Sequence, residues 1–495
     1  AFIRGVALLH SFEYDVAAEA FRAAEQADSG FALAYWLEAL TYSHPLWGEE
    51  NLDSARIALA KLGPDPAARL ARARTARERG YGGAVEAYFQ DVADSVRYEA
   101  FADSMRALVK AYPADLEAKA FAALAIMTTT GQGTREAQEA HTEEAIALAR
   151  NVYRSAPRHP GAAHYLIHLY DDPRRAPEGL DVAREYARIA PDAEHALHMP
   201  SHIFVQLGLW DDVAASNERS WAASRADARR RNLTGADLDY HSLYWLEYAY
   251  LEQGRYRAAH ALIDTARAML ASVPDEKLGE ADARYAVQDL AFAYGMATGR
   301  WLDQAVRDEV RVPGPERRPT SDRDRSFQIG AVVQGGYAAA MRGDTGTTRQ
   351  VITSLRTKAD SAGRAGRRMA MLANRLEGVL AARAHDVDSA VARFEPLAAL
   401  EDSNPPVGPP YLPPNSELLG AALLSAGRPV EARAAYQRSL ALRPNRAEAL
   451  LGLARASAAA GDTAAAAGYR RRLERIWRRA DADHPPLEVV EAAGS

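Results

Sequence analysis

Residues 419–461 read LGAALLSAGRPVEARAAYQRSLALRPNRAEALLGLARASAAAG. Two amphipathic stretches flank Gly427, Pro444 closes the second, and the pattern starts again towards Gly461, 34 residues after Gly427. Working outward, Gly208, Gly254, Gly299 and Gly343 recur at intervals of 46, 45 and 44 residues, each followed within a few positions by an aromatic residue or alanine. Gly254-Arg255-Tyr256 precedes Ala258 and Ala259, and Gly299-Arg300-Trp301 precedes Ala305. A period of this size with a turn residue at its centre reads as a helix, a short turn and a second helix packed antiparallel. One such hairpin cannot bury its apolar face alone, so the units must stack, and the expected fold is an all-α solenoid.

The offsets of Leu419-Gly420, Ala432, Tyr436 and Pro444, repeated by Gly461 with Ala466, resemble the tetratricopeptide repeat. That resemblance implies a superhelical solenoid whose first helices line a concave face, and a scaffold role with a protein or peptide partner. Helical repeats are expected over 1–310, 326–400 and 415–480 as one continuous solenoid. Two segments interrupt them, 311–325 (RVPGPERRPTSDRDR) and 402–414 (DSNPPVGPPYLPP). Both read as loops on the solenoid's edge, the proline-dense second one as a rigid strap or docking segment. Three further stretches, His10-Ser11-Phe12-Glu13-Tyr14, Tyr35-Trp36 through Ser43-His44-Pro45-Leu46-Trp47, and His195 to His202, resemble a bacterial group of tetratricopeptide proteins, often exported and of unassigned role. This implies a periplasmic or extracellular location, with the cytoplasm as the alternative. The start at Ala1, directly inside a helical pattern, fits a processed N-terminus, and a trimmed chain would look the same.

Composition narrows the functional classes. The 495 residues carry a net charge of −6, which gives no basic field for nucleic acid, so no nucleic-acid partner is expected. Cysteine is absent, which excludes disulfides, thiolate metal sites and cysteine nucleophiles. No apolar run reaches the length of a membrane-spanning helix. GxSxG, P-loop, dinucleotide and HExxH patterns are missing, so no catalytic residue is assigned. Ser201 beside His202 reads as a cap or turn residue after Pro200, and Asn232-Leu233-Thr234 is a surface glycosylation sequon if used.

Histidine carries the strongest chemical signal. Five of the thirteen fall within 39 residues: His164, His168, His195, His198 and His202. His164 and His168 are i and i+4 on one helical face; His195, His198 and His202 share a face provided that Pro200 does not break the helix. With a turn near Arg174, His164 and His168 stand ten and six residues before it, as His198 and His202 stand before Gly208. The two pairs are therefore expected side by side on neighbouring first helices. Two imidazole pairs could chelate Zn²⁺, Cu²⁺, Ni²⁺ or Fe²⁺, with Glu194, Asp171, Asp172 or Glu247 as carboxylate ligand or acceptor. The competing reading has the rings as packing residues bonded to nearby backbone or carboxylates. His241, Tyr244, Glu247 and Tyr248 register onto the same groove.

Two functions stay open: a scaffold for binding and assembly, and a metal-binding protein or metal-dependent enzyme built on the imidazoles. A solenoid has two unlike ends, so contact between ends propagates into a filament or a homo-oligomer. The apolar opening, with Phe2, Ile3, Leu8 and Leu9, suits such docking.

Overall fold

The computed structural model describes residues 1–482 except 45, 47, 48, 192, 272, 275, 276, 279, 280, 315–318, 320, 361, 362 and 406. Pro45 and Trp47 of the aromatic motif, and the acidic tail from 483, lie outside the described residues. The chain divides into two compact units: residues 1–171 with 178–200, and 172–177 with 201–495.

The first unit contains α1 (Phe2–His10), α2 (Tyr14–Ala27), α3 (Ala32–Leu40), α4 (Leu52–Ala60), α5 (Pro66–Leu70), α6 (Ala76–Tyr88), α7 (Asp94–Ala111), α8 (Leu116–Met127), α9 (Arg135–Ser155), α10 (Pro160–Tyr170), most of α11 (Ala176–Ile189) and α12 (Glu194–His198). A two-stranded antiparallel hairpin, β1 (Ser43–His44) with β2 (Glu49–Glu50), is inserted after α3. Side-chain caps fix the helix starts: Asp115, Thr134 and His159 each accept a backbone N–H of the first turn. Trp36 anchors the core, fully buried, its indole N–H donating to Glu86 at 2.9 Å. Gly82 leaves the space that its ring fills.

The second unit runs through α13 (Pro200–Leu207), α14 (Trp210–Arg231), α15 (Tyr240–Glu252), α16 (Tyr256–Leu270), α17 (Ala281–Thr298), α18 (Gln304–Glu309), α19 (Asp322–Met341), α20 (Thr345–Ala359), α21 (Arg364–Arg383), α22 (Val387–Ser403), α23 (Asn415–Ser425), α24 (Pro429–Leu442), α25 (Ala447–Ala459) and α26 (Thr463–Ile476). Gly208, Gly254, Gly299, Gly343, Gly427 and Gly461 all sit at hairpin turns with φ between +64° and +87°. That is the left-handed region a side chain resists, which explains the residue type at the period's centre. Among the described residues, other turns place different residues there: Phe12 between α1 and α2 at φ +58°, His385 between α21 and α22 at φ +59°, Asn445 between α24 and α25 at φ +59°, and Asn232 after α14 at φ +56°. The charged segment 311–325 is shorter as a loop than its composition suggests: Ser321 accepts the amide of Asp324, and α19 begins at Asp322.

The second unit also closes on itself. A Cβ at Gly208 would collide with the carbonyl oxygen of Pro444, and the Trp210 indole donates to the Asn445 carbonyl at 2.8 Å. Arg446 donates to Glu252 at 2.7 Å, to Glu417 at 2.6 Å and to the Tyr248 hydroxyl at 2.8 Å, all of them buried. Beyond α26, Trp477 donates to the Glu252 carbonyl and the Asp481 amide to that of Gly254. The last repeats therefore rest on the first helices of their own unit.

Candidate metal centre

Three of the five clustered histidines converge in the first unit. His164 and His168 stand one turn apart on α10, and α12 brings His195 up to them. His164 Nε2 lies 3.1 Å from His168 Nε2 and 3.1 Å from His195 Nε2. His164 is fully buried and the other two are half-buried. The other nitrogen of His164 settles its protonation, because Nδ1 lies 2.7 Å from the backbone carbonyl of His10, which can only accept. Nδ1 therefore carries the proton, and neutral His164 points its Nε2 lone pair at its neighbours.

A single lone pair accepts one N–H well, yet two imidazole nitrogens approach it equally. An ion would reconcile the three. Four ligands about 2.0–2.1 Å from a tetrahedral centre are separated by about 3.3 Å, close to the spacing seen here. Nitrogen-only donors suit Zn²⁺, Cu²⁺, Ni²⁺ or Fe²⁺.

Aromatic rings hold the imidazoles. Tyr186 stacks on His164 at 5.4 Å between centroids, and Phe12 lies 4.3 Å from His164, 5.8 Å from His168 and 5.7 Å from His195. Phe12 thus keeps a strained backbone where other repeats have glycine, and its ring packs against all three ligand candidates. Strain held at such a place is a common mark of a working site.

The register expected from the turns is off by one helical turn. It put His198 and His202 opposite the α10 pair, whereas His195 stands there. The second helix is two pieces, α12 and α13, separated at Met199 before Pro200, which has no N–H to continue the ladder. His198 is buried with its ring 6.3 Å from that of His195. His202 belongs to the second unit, where its ring lies 4.4 Å from Trp245 and 6.3 Å from His241. Asp172 binds Arg174 through paired 2.9 Å bonds; burial would raise its carboxyl, but these bonds hold it below the usual range.

A second imidazole cluster surrounds Glu117 in the same unit. His10 Nε2 lies 2.9 Å from Glu117 Oε2, His159 Nε2 lies 3.3 Å from Glu117 Oε1, and His10 Nδ1 lies 2.7 Å from the Tyr165 hydroxyl. His159 caps α10, its Nδ1 accepting the Ala162 amide at 3.2 Å, so its proton sits on Nε2 facing the carboxylate. Burial alone would raise the Glu117 carboxyl, but the two imidazoles hold it well below the usual range. His10 itself is pushed down by burial, which Glu117 offsets only in part. Gly161 makes the approach possible, since a Cβ there would come within 2.5 Å of His10 Nδ1. Of this network the sequence showed only the His10–Tyr14 motif; Glu117, His159 and Tyr165 carry no spacing signal.

Comparison with known proteins adds the family. Residues 423–485, covering the end of α23 to beyond α26, match the tetratricopeptide repeat model. That stretch is built of tetratricopeptide repeats. No curated protein sequence matches it. Among solved structures it is similar to a human IFIT1 dimer with m7Gppp-AAAA, at 12% identity over 91% of this chain and 90% of that one, with a TM-score of 0.42. It is also similar to Naa15/Naa10 bound to HypK-THB, at 12% identity over 98% of this chain and 69% of that one, with a TM-score of 0.24.

In the second unit the residues expected to line a groove are covered by the chain itself. Tyr244, Glu247 and Tyr248 are buried, and His241 is half-buried. Tyr248 is held by Arg446, and Tyr244 donates to the Pro410 carbonyl at 2.9 Å while Tyr411 stacks on it at 4.5 Å. The proline-dense segment is thus a strap across the groove residues, with Gly408 packed so closely on Trp245 that a Cβ would come within 2.7 Å. At the start of the chain, Leu9 is buried, Leu8 half-buried, and Phe2 packs on Phe31 at 4.6 Å and Phe21 at 5.8 Å, all within the first unit. Ile3 points out, 82% exposed. Among the described residues, no helix is long and apolar enough to cross a membrane.

Proposed function

We propose that this tetratricopeptide scaffold carries a divalent transition metal on His164, His168 and His195. The observation behind the reading is the approach of two imidazole nitrogens to a His164 Nε2 whose own proton is committed to the His10 carbonyl. An ion there would tie α10 to α12, and through the His10 carbonyl to the end of α1. A fourth position would remain for water, a partner's side chain or a substrate. The test is metal analysis of the chelator-stripped and reloaded full chain. One equivalent of zinc, lost in His164→Ala, supports the reading; less than a tenth of an equivalent overturns it.

The scaffold works by protein–protein contact, and we infer that its partner is a second copy of the chain met through outer surfaces or ends. The reading is favoured by the second unit, whose groove residues are already covered by its own strap and last repeats. Ile3 supplies an exposed apolar residue at one terminus. End-to-end docking of this kind builds filaments or closed oligomers. Light scattering over a concentration series tests it: growth in mass, reduced by Ile3→Asp, is expected, and a concentration-independent monomer overturns it. Export to the periplasm or beyond belongs to the same reading, is compatible with the cysteine-free sequence, and is tested by cell fractionation.

A further inference from the structure

The second unit holds a buried carboxylate that no cation among the described residues neutralises. Glu247 on α15 is fully buried, and neither of its carboxylate oxygens has a hydrogen-bond partner. Burial, with the Asp289 charge adding to it, pushes its carboxyl well above the usual carboxylate range. Asp289 on α17 is itself 7% exposed and accepts from Gln334 Nε2 on α19 at 2.8 Å. That bond fixes the amide's orientation, because turning it over would set oxygen against oxygen. The Gln334 amide oxygen is then left without a partner at 1% exposure. The strap brings backbone oxygens to the same layer, the Pro410 carbonyl on the Tyr244 hydroxyl and the Tyr411 carbonyl 3.4 Å from Gln334 Nε2.

An isolated buried carboxylate is among the costliest groups a fold can hold, and proteins tolerate one when it is protonated, paired or bound to a cation. Protonation would remove the charge and still leave the second carboxyl oxygen without a donor. Pairing fails as well, since the charge acting on it is a second carboxylate. We propose that Glu247, Asp289 and the Gln334 amide oxygen form a binding site for a hard divalent cation of the calcium class, beneath the 407–414 strap. Two carboxylates match the charge of such an ion, and carboxylate, amide and backbone oxygens are the donors it takes. The chemistry is the opposite of the nitrogen-only cluster around His164.

The test is titration of the chelator-stripped full chain with calcium chloride, read by calorimetry and by thermal unfolding. One equivalent should bind and raise the Tm. Glu247→Gln, which keeps shape and removes charge, should weaken binding by about 100-fold, whereas His164→Ala should leave it unchanged. Gln334→Ala, which removes a neutral donor, should weaken binding by a smaller factor and provides the reading if Glu247→Gln does not fold. Three results would overturn the site: wild type and Glu247→Gln titrating alike, a wild type indifferent to calcium with Glu247→Gln more stable, or a response to methylammonium and not to calcium.

Discussion

Two imidazole clusters stand in the first unit, made of the same side chain and joined through His10, yet they solve opposite problems. Around Glu117 the α10 cap and the Tyr165 hydroxyl turn imidazole nitrogens towards the carboxylate, so the acceptor finds its partners within the protein. At His164 the carbonyl of the same His10 takes the proton away from the inner face, and the Nε2 lone pair is turned towards His168 and His195. Residue type alone therefore does not decide what an imidazole cluster presents, and the partner of the outer nitrogen does.

The two clusters should differ most at His164. His164→Ala should lower zinc affinity by at least about 100-fold, measured by competition with a chromophoric chelator, because a single neighbouring pair cannot fill a tetrahedral ion. His159→Ala, in the other cluster, should leave that affinity within about tenfold of wild type. Equal losses in the two variants would erase the distinction.

Acid separates the clusters next. Burial holds His10 below the unfolded value of about 6.5, so the unfolded chain takes up a proton that the folded chain refuses. Stability is then present above that pH and lost as pH falls below it, with a slope of up to about 1.4 kcal/mol per pH unit for one such group. Urea unfolding of the metal-free chain at pH 7.5, 6.5 and 5.5 should show the loss, and His10→Gln should flatten it. A wild-type profile that matches His10→Gln would remove His10 from the account.

Glu117→Gln should cost about 1 kcal/mol, since the carboxylate side chain is 42% exposed and its contacts with the two imidazoles are partly screened. Denaturant midpoints measure this, and zinc affinity should not move. The smallest effect is expected from Phe12→Asn, which tolerates the left-handed turn. Zinc should bind with less than about tenfold change in affinity while a chelator strips it faster, because the ring packed on the three imidazoles is gone.

Much of the fold was legible because turn chemistry is local. A hairpin that needs φ near +70° selects glycine, so Gly208 to Gly461 marked the turns directly. Phe12 and His385 were invisible by the same logic, since neither residue type signals a left-handed backbone. The imidazole cluster was half legible: spacing put His164 and His168 on one face, but the interruption at Met199 and Pro200 brought His195 to them in place of His198. Nothing local encodes the His10 carbonyl on His164 or the His10 ring on Glu117, since these contacts span over a hundred residues. The strap was identified by its prolines, yet its place across Tyr244 depends on the layout of the whole second unit.

The meeting of Gly208 with Pro444 changes what kind of object the second unit is. An open array of repeats can be shortened from one end, each loss removing one intrinsic stability and one neighbour term. Here Trp210 holds Asn445 across 235 positions of sequence, and Glu252 holds Arg446 across 194. A nascent chain cannot complete this unit until its last repeats have left the ribosome, and deleting them would strip Gly208, Trp210 and Glu252 of their packing at once. By the same connectivity, a circular permutant opened at an exposed hairpin should survive where a truncation does not.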